Sequence, residues 1–167
     1  MNITYFAYGS NMHLGRLTQR VGEIKSHGLA QLKGHRLEFH KRGKDGSAKC
    51  DAFYTGNKKD GIFGVLIELD PSQKMRLDYF EGLGNGYNEC VIDAKTATGT
   101  IEAITYTAQR QYIDPDLRPF EWYTLLVIEG AKQHGLPPHY IALIENIPHI
   151  DDPDPERDQE NYSILKY

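Results

Sequence analysis

The chain has 167 residues, the length of a single domain with room for a hydrophobic core. Its 23 Asp and Glu residues outnumber its 19 Lys and Arg residues, which gives a net charge of −4. No basic block is longer than "HKRGK" at 40–44, which is too short for a phosphate-binding stripe. We therefore do not expect nucleic acid as a partner.

The apolar runs are also too short for a membrane protein. The run "GIFGVLIEL" at 61–69 falls well below the ~20 residues that span a bilayer. Because the N-terminus has no charged leader followed by an apolar region, we expect a soluble, cytoplasmic protein without a membrane partner. Cys50 and Cys90 lie far apart and outside any CxxC motif, which favours reduced thiols and indicates no disulfide or zinc site.

The first third of the chain predicts mainly strands. The segment "NITYFAYG" at 2–9 is typical of a buried strand, and "MHLGRLTQRV" at 12–21 has the apolar spacing of a helix. The "YGSN" turn at 8–11 therefore connects a strand to a helix. Four further strands, bounded by the turn formers of an antiparallel meander, are predicted in "GLAQLKG", "HRLEFHKRG", "KCDAFYTGN" and "IFGVLIELD".

A well-marked helix is predicted in "LDPSQKMRLDYFEG" at 69–82. Asp70 is the expected N-cap, Pro71 the first helical residue, and Gln73 completes a capping box. Gly82 is the expected end of the helix. Glu81 therefore lies on the last helical turn.

The rest of the chain predicts two strands and two helices. The strands "YNECVIDAKT" and "TIEAITYTAQ" are joined across a hairpin turn at Thr98-Gly99. A helix over 120–134 ends before Gly135, and a short helix follows in "HYIALIENI".

The final segment differs in composition from the rest. Residues 151–167 are acidic and contain prolines, which predicts a surface tail or a flexible segment that closes over the body. With no internal repeat, we expect one domain over 1–150 followed by an acidic tail over 151–167.

The search for chemical motifs excludes several kinds of site. The seven histidines show no HExxH motif or paired ligand spacing, so we predict no metal. The glycine-rich "GLGNGY" at 82–87 follows a helix and precedes a strand, the reverse of a phosphate-binding loop, and is better interpreted as a turn.

A serine nucleophile is a further alternative. His13 follows Ser10 by three residues, a pattern that could supply a nucleophile and its base. The Gly-x-Ser-x-Gly elbow is absent, however, and no local Asp or Glu could orient the imidazole. The residues disfavour a serine hydrolase.

Glu81 is the carboxylate with the most unusual local environment. It lies at the negative end of a helix beside Phe80 and Leu83, where the macrodipole and partial desolvation should raise its pKa. Such a group suits proton transfer, although an ordinary solvated glutamate stays an open alternative. The "YGSN" turn, with little side-chain bulk, could present backbone N–H groups to a carboxylate.

Three segments in order resemble the gamma-glutamylcyclotransferase family: "YFAYGSNM" at 5–12, "FGVLIEL" leading into "LDYFEGLGNGY", and "WYTLLVIEGAKQHGLPPHYIALI" in the last third. The resemblance covers most of the chain. It implies an α+β domain whose mixed, mainly antiparallel sheet curls toward a barrel with flanking helices. It also implies cyclisation of a γ-glutamyl amide or peptide to 5-oxoproline, with release of the amine or amino acid.

The resemblance assigns roles to particular residues. Glu81 matches the family's catalytic acid/base, and Tyr87 matches an aromatic residue that covers the site. The remaining matches are to substrate-binding residues: the approach Tyr5, Phe6 and Ala7, the loop Tyr8, Gly9, Ser10 and Asn11, and the pocket tyrosines Tyr106 and Tyr123. A small-molecule γ-glutamyl substrate is the implied partner, with a role in glutathione metabolism and no cofactor or metal, and a homodimer is left open.

Two alternatives to this activity remain at this stage. One is a related enzyme that removes a γ-glutamyl group in a biosynthetic pathway, and the other is a non-catalytic binding module of the same fold. The leaving group's pocket is expected to involve loops such as 110–119 and the C-terminal tail. These segments carry too little pattern to discriminate between the two enzymes.

Overall fold

The computed structural model describes all 167 residues and is built on a closed five-stranded barrel. Its strands, in barrel order, are β1 (Ile3–Ala7), β5 (Gly61–Leu69), β2 (Lys25–Lys33), β6 (Tyr87–Thr96) and β7 (Gly99–Ala108). Four neighbouring pairs are antiparallel, and a parallel pairing of β1 with β7, centred on Tyr5 and Ile104, closes the barrel. The prediction of a mixed, mainly antiparallel barrel-like sheet is confirmed.

A separate hairpin and five helices surround this barrel. The hairpin pairs β3 (His35–Arg42) with β4 (Ala48–Tyr54). The helices are α1 (Leu14–Val21), α2 (Pro71–Glu81), α3 (Glu121–Gln133), α4 (Pro138–Glu145) and α5 (Pro155–Ile164), with 3-10 turns at Ser10–Met12 and Arg110–Tyr112. None of the helices has the length and apolar composition required to cross a membrane.

Local signals fix both ends of α2. The Asp70 carboxylate accepts hydrogen bonds from the backbone N–H groups of Ser72 and Gln73, and the Gln73 side chain accepts from the Asp70 N–H. Gly82 ends the helix in the left-handed conformation, with φ of 64°. The predicted caps are confirmed, and they place Glu81 on the last turn.

The β6–β7 hairpin corrects one prediction. Its register pairs Thr96 with Gly99, so the two-residue loop is Ala97-Thr98 and lies one residue before the predicted Thr98-Gly99 turn. The Thr96 hydroxyl accepts from the Thr98 N–H and donates to the Gly99 carbonyl, which favours this position.

Residues 151–167, predicted as a surface tail or a flexible segment that closes over the body, contain the helix α5. The Asp154 side chain caps this helix and Pro155 occupies its first turn, where proline starts a helix rather than breaking one. Asp152 accepts two hydrogen bonds from Arg157 and one from the Trp122 indole, which holds the segment against α3. The acidic segment is therefore a surface helix that is held against the body.

Helix α3 packs closely against the turn that follows β1. A Cβ atom on Gly130 would lie 2.6 Å from the His13 backbone nitrogen and 2.7 Å from the Met12 carbonyl carbon. His134, just beyond α3, hydrogen-bonds to the Met12 carbonyl at 2.8 Å. The helix thus fixes the position of the 3-10 turn Ser10–Met12.

Candidate active site

One cavity brings the end of β1 together with the end of α2. We call it the inner cavity, and its lining consists mainly of aromatic and small polar residues. These residues are Tyr5, Tyr8, Gly9, Ser10, Asn11, Cys50, Glu81, Tyr87, Tyr106 and Tyr123. Every predicted site residue except Phe6 and Ala7 is therefore in one place.

The two carboxylate oxygens of Glu81 have different environments. Oε1 accepts a hydrogen bond from the Asn11 side-chain amide at 2.9 Å and from the Arg20 guanidinium at 3.1 Å. Oε2 makes no hydrogen bond to the protein, and only 14% of the side chain is exposed. One oxygen is thus fixed, while the other is free to contact a molecule in the cavity.

Arg20 is the main contact that sequence reasoning missed. Besides its ion pair with Glu81, it donates to the Asn11 side-chain carbonyl at 2.8 Å and lies over the Phe80 ring. Arg20 thus places a positive charge directly against the Glu81 carboxylate. Arg20 follows Arg16 by four residues, so the sequence indicates that both lie on one face of α1. Nothing in the sequence indicates that this face meets α2.

The "YGSN" turn has little bulk where it meets the cavity. A Cβ atom on Gly9 would lie 3.1 Å from the Cys50 Cβ and 3.6 Å from the Tyr123 hydroxyl, so the space suits glycine. The Gly9 N–H and the Ser10 hydroxyl make no hydrogen bond to another protein group. Both are therefore available as donors to a bound anion.

The tyrosines around the cavity are fixed by their hydroxyl groups. Tyr123 accepts from the Cys50 N–H at 2.9 Å, and Tyr87 donates to the Cys50 carbonyl. Tyr8 donates to the Tyr106 carbonyl, and the Tyr106 hydroxyl donates to Asp78, both at 2.6 Å. Burial raises the pKa of each of these tyrosines, so their hydroxyl groups stay protonated.

Comparisons with known proteins agree with this arrangement. The AIG2-like family model matches residues 61–144. Gamma-glutamylcyclotransferase from Homo sapiens is 30% identical over 146 residues, covering 86% of this chain and 77% of the human protein, and the Bos taurus protein is 27% identical over 147 residues with the same coverage. The chain belongs to the gamma-glutamylcyclotransferase family. This is a family of enzymes.

A solved structure named gamma-glutamyl cyclotransferase shares the fold of this family member. The two align with a TM-score of 0.88 over 99% of both chains, at 24% sequence identity. The α+β barrel with flanking helices is therefore the fold of a known gamma-glutamyl cyclotransferase structure.

Two residues that the family resemblance assigned to the approach do not line the cavity. Phe6 and Ala7 are both fully buried in the core. The Phe6 carbonyl accepts from the Thr105 hydroxyl at 2.9 Å, and a Cβ atom on Gly64 would lie 2.4 Å from the Ala7 carbonyl oxygen. In this member of the gamma-glutamylcyclotransferase family they support the turn by packing between β5 and β7.

The structure also separates Ser10 from the histidine that follows it. The His13 Nδ1 accepts the Arg16 N–H and so caps α1, and its Nε2 faces the Gln133 side chain. No hydrogen bond joins the Ser10 hydroxyl to His13. The base that a serine nucleophile needs is therefore not provided by His13 in this family member.

A wider cavity of about 290 Å³ opens beside the inner one. We call it the outer cleft; it shares Ser10, Glu81, Tyr87 and Tyr123 with the inner cavity. Residues from α1, the β3–β4 hairpin and the segment after α2 complete it, together with Tyr112 and Trp122. Glu81 thus lies where the two spaces meet.

Proposed function

We propose that this protein cyclises the γ-glutamyl group of a γ-glutamyl amide or peptide to 5-oxoproline and releases the attached amine or amino acid. The observation that carries the proposal is the asymmetry of Glu81, with Oε1 fixed by Asn11 and Arg20 and Oε2 free in the cavity. Membership of the gamma-glutamylcyclotransferase family supports the same reaction.

In the proposed reaction the substrate supplies its own nucleophile. The α-ammonium group loses a proton to Glu81, the α-nitrogen bonds to the γ-carbonyl carbon, and the bond to the leaving nitrogen breaks as that nitrogen takes this proton from Glu81. The α-nitrogen gives up a second proton as the lactam forms, and this proton completes the ammonium group of the released amine. No covalent bond to the protein forms. One carboxyl group that accepts and then donates a proton serves both halves of the reaction.

The inner cavity would hold the glutamyl part of the substrate. The Gly9 N–H and the Ser10 hydroxyl are free donors for the α-carboxylate, at a turn held in place by α3. Fixing the flexible glutamyl chain in its attack geometry contributes to the rate, because less conformational entropy is then lost on reaching the transition state.

The two alternatives differ from this proposal in what they require. A non-catalytic module has no need for a desolvated carboxylate with one free oxygen. A biosynthetic γ-glutamyl-removing enzyme would use the same inner cavity with a different amine in the outer cleft, so it differs in substrate and not in chemistry.

The test is a panel of γ-glutamyl dipeptides, γ-glutamyl amines and glutathione, with 5-oxoproline detected by mass spectrometry. Glu81→Gln keeps the shape of the side chain but cannot carry the proton. We expect it to lower kcat by about 10²–10⁴-fold while substrate binding is nearly unchanged. The matched control is Glu102→Gln, an exposed residue of β7, which should behave as the wild type.

Two results would contradict the proposal. Release of free glutamate in place of 5-oxoproline would show a hydrolase. A Glu81→Gln variant with more than about a tenth of the wild-type rate would remove Glu81 from the proton transfer.

A further inference from the structure

The outer cleft carries a concentration of positive charge, of which the proposed proton transfer uses only Arg20. The chain as a whole has a net charge of −4, yet six cationic side chains line this cleft against two carboxylates, Asp45 and Glu81. The six are Arg16, Arg20, Lys41, Arg42, Lys44 and Lys49. A positively charged cleft in a negatively charged protein concentrates anions.

Half of these cations have no carboxylate partner. Arg20 is paired with Glu81, Lys49 with Asp45, and Arg42 with Asp114, which accounts for three of the six. Arg16, Lys41 and Lys44 make no ion pair with the protein. Three positive charges in the cleft are therefore left for a ligand.

Arg16 has an unused donor inside the structure. Its Nε is buried and has no hydrogen-bond partner, while its Nη1 donates to Asn161 of α5 at 3.1 Å. The guanidinium also lies 5.8 Å from the centre of the Trp122 ring. Because burial without a counter-ion disfavours the charged form, it lowers the pKa of Arg16 to about 9.

Lys41 is the second cation without a carboxylate partner. It is only 7% exposed, and its Nζ lies 4.5 Å from the centre of the Tyr87 ring, at the boundary with the inner cavity. Burial lowers the pKa of Lys41, and the Glu81 charge acts in the opposite sense without cancelling this effect. The lysine comes from the "HKRGK" block, whose shortness excluded a nucleic-acid stripe but not a small anion site.

We infer that the outer cleft binds a leaving group with two negative charges, so that the preferred substrate is a γ-glutamyl conjugate of an acidic amine such as a dicarboxylic amino acid. The inference rests on the proposed function and deepens it by naming the class of leaving group. Arg16 and Lys41, on different elements, each take one acidic group, and exposed Lys44 attracts the ligand from solution.

Three substrates with graded charge test this assignment: γ-glutamyl-ethylamide, γ-glutamyl-alanine and γ-glutamyl-aspartate, whose leaving groups carry zero, one and two acidic groups. We expect kcat/KM to rise along the series at low salt and the differences to shrink as salt is added.

Lys41→Met should lower kcat/KM for the aspartate conjugate at least about tenfold, as expected when one member of a desolvated charge pair is removed. The ethylamide should change little, and Lys33→Met, an exposed lysine of β2, is the matched control.

A binding measurement separates this inference from the proposed reaction. The chain has one tryptophan, Trp122, and it lines the cleft, so its fluorescence reports occupancy. N-acetyl-aspartate should change this fluorescence in the wild type, and N-acetyl-alaninamide should not. The response should be lost in Lys41→Met, which replaces an unpaired buried charge with an apolar side chain and so should remain folded.

The possible outcomes distinguish the two claims. Equal kcat/KM for all three substrates would overturn the anion site and leave the cyclisation intact. If no conjugate gives 5-oxoproline but N-acetyl-aspartate binds in a Lys41-dependent manner, the anion site stands and the proposed reaction fails. If the N-acetyl-aspartate response is absent or unchanged in Lys41→Met, the outer cleft is not the anion site described here.

Discussion

At the scale of single residues, Glu81 is surrounded by tyrosine hydroxyls and a thiol that do not ionise near neutral pH. The surrounding tyrosines are held neutral by burial, and burial raises the pKa of the Cys50 thiol to about 12. A thiol with so high a pKa is a poor nucleophile near neutral pH. The carboxylate is thus the group best placed to move a proton.

Ser10 provides a test of how the turn acts. As a donor to the substrate carboxylate, its hydroxyl contributes about 1 kcal/mol, so Ser10→Ala should raise KM about fivefold and change kcat little. Steady-state kinetics on a γ-glutamyl dipeptide measure both constants, with the exposed Ser163→Ala as control. Complete inactivity of Ser10→Ala, or a glutamyl adduct on Ser10 in a quenched reaction, would point to a serine nucleophile instead.

The burial of Lys49 should make the free energy of unfolding depend on pH. Burial lowers the pKa of Lys49 from 10.5 to about 8, with Asp45 acting in the opposite sense. Between these values the unfolded chain binds more protons than the folded one, so the free energy of unfolding contributed by this residue rises with pH.

Urea unfolding of the wild type and Lys49→Met isolates this effect, because other titrating groups are common to both proteins. The difference in the free energy of unfolding should move in favour of the wild type by roughly 1–2 kcal/mol between about pH 7.5 and about pH 9.5. A constant difference, or one that moves against the wild type, would show that the Lys49 ammonium is not desolvated.

At the scale of secondary-structure elements, the site is positioned by the ends of two elements and by one helix contact. Strand β1 leads into the "YGSN" turn. The Asp70 and Gly82 caps fix where α2 begins and ends, and so place Glu81 on its last turn. Arg20, on α1, joins them through its bonds to Asn11 and Glu81. Small shifts of any of these elements should therefore change activity before they change the fold.

Gly130 tests the helix contact. A methyl group there would lie within 2.8 Å of the turn, so Gly130→Ala should displace Ser10–Met12 and destabilise the protein by about 1–3 kcal/mol. We expect a lower Tm and a larger loss of kcat/KM than the remaining folded fraction explains.

Lys132→Ala, at an exposed position of the same helix, is the matched control for this substitution. The surface ion pairs of Lys132 with Glu129 and Glu145 contribute little to stability, and alanine favours the helix. We therefore expect it to be neutral or slightly stabilising. Wild-type stability and activity in Gly130→Ala would show that α3 does not hold the turn.

At the scale of the whole molecule, the features predicted from sequence are those set by local interactions. The caps of α2, the strand–turn–helix around "YGSN" and the end of α3 before Gly135 depend on residues a few positions apart. Contacts between distant segments were not predictable in this way. Arg20 meets Glu81 across 61 positions and Tyr123 meets Cys50 across 73, and only the folded barrel brings them together.

Helix α5 shows a further limit of composition. Its Asp154 cap and Pro155 start were present in the sequence, but the acidic character of 151–167 dominated the prediction. The interactions that hold the segment, Asp152 with Arg157 and Trp122, depend on where α3 lies. The charge of the outer cleft was not predictable either, because its cations come from two separate elements, α1 and the β3–β4 hairpin, and only the fold brings these together.

The central claim is that the substrate's own α-amine attacks its γ-carbonyl while Glu81 transfers the proton. Turnover of a γ-glutamyl dipeptide in ¹⁸O-labelled water, followed by mass spectrometry, tests it most directly. The account predicts 5-oxoproline without ¹⁸O, formed in equal amount to the released amino acid, and no release from the N-acetylated dipeptide, which lacks a nucleophilic amine. Glutamate carrying one ¹⁸O atom, or amine release from the N-acetylated compound at a rate comparable to the parent, would contradict it.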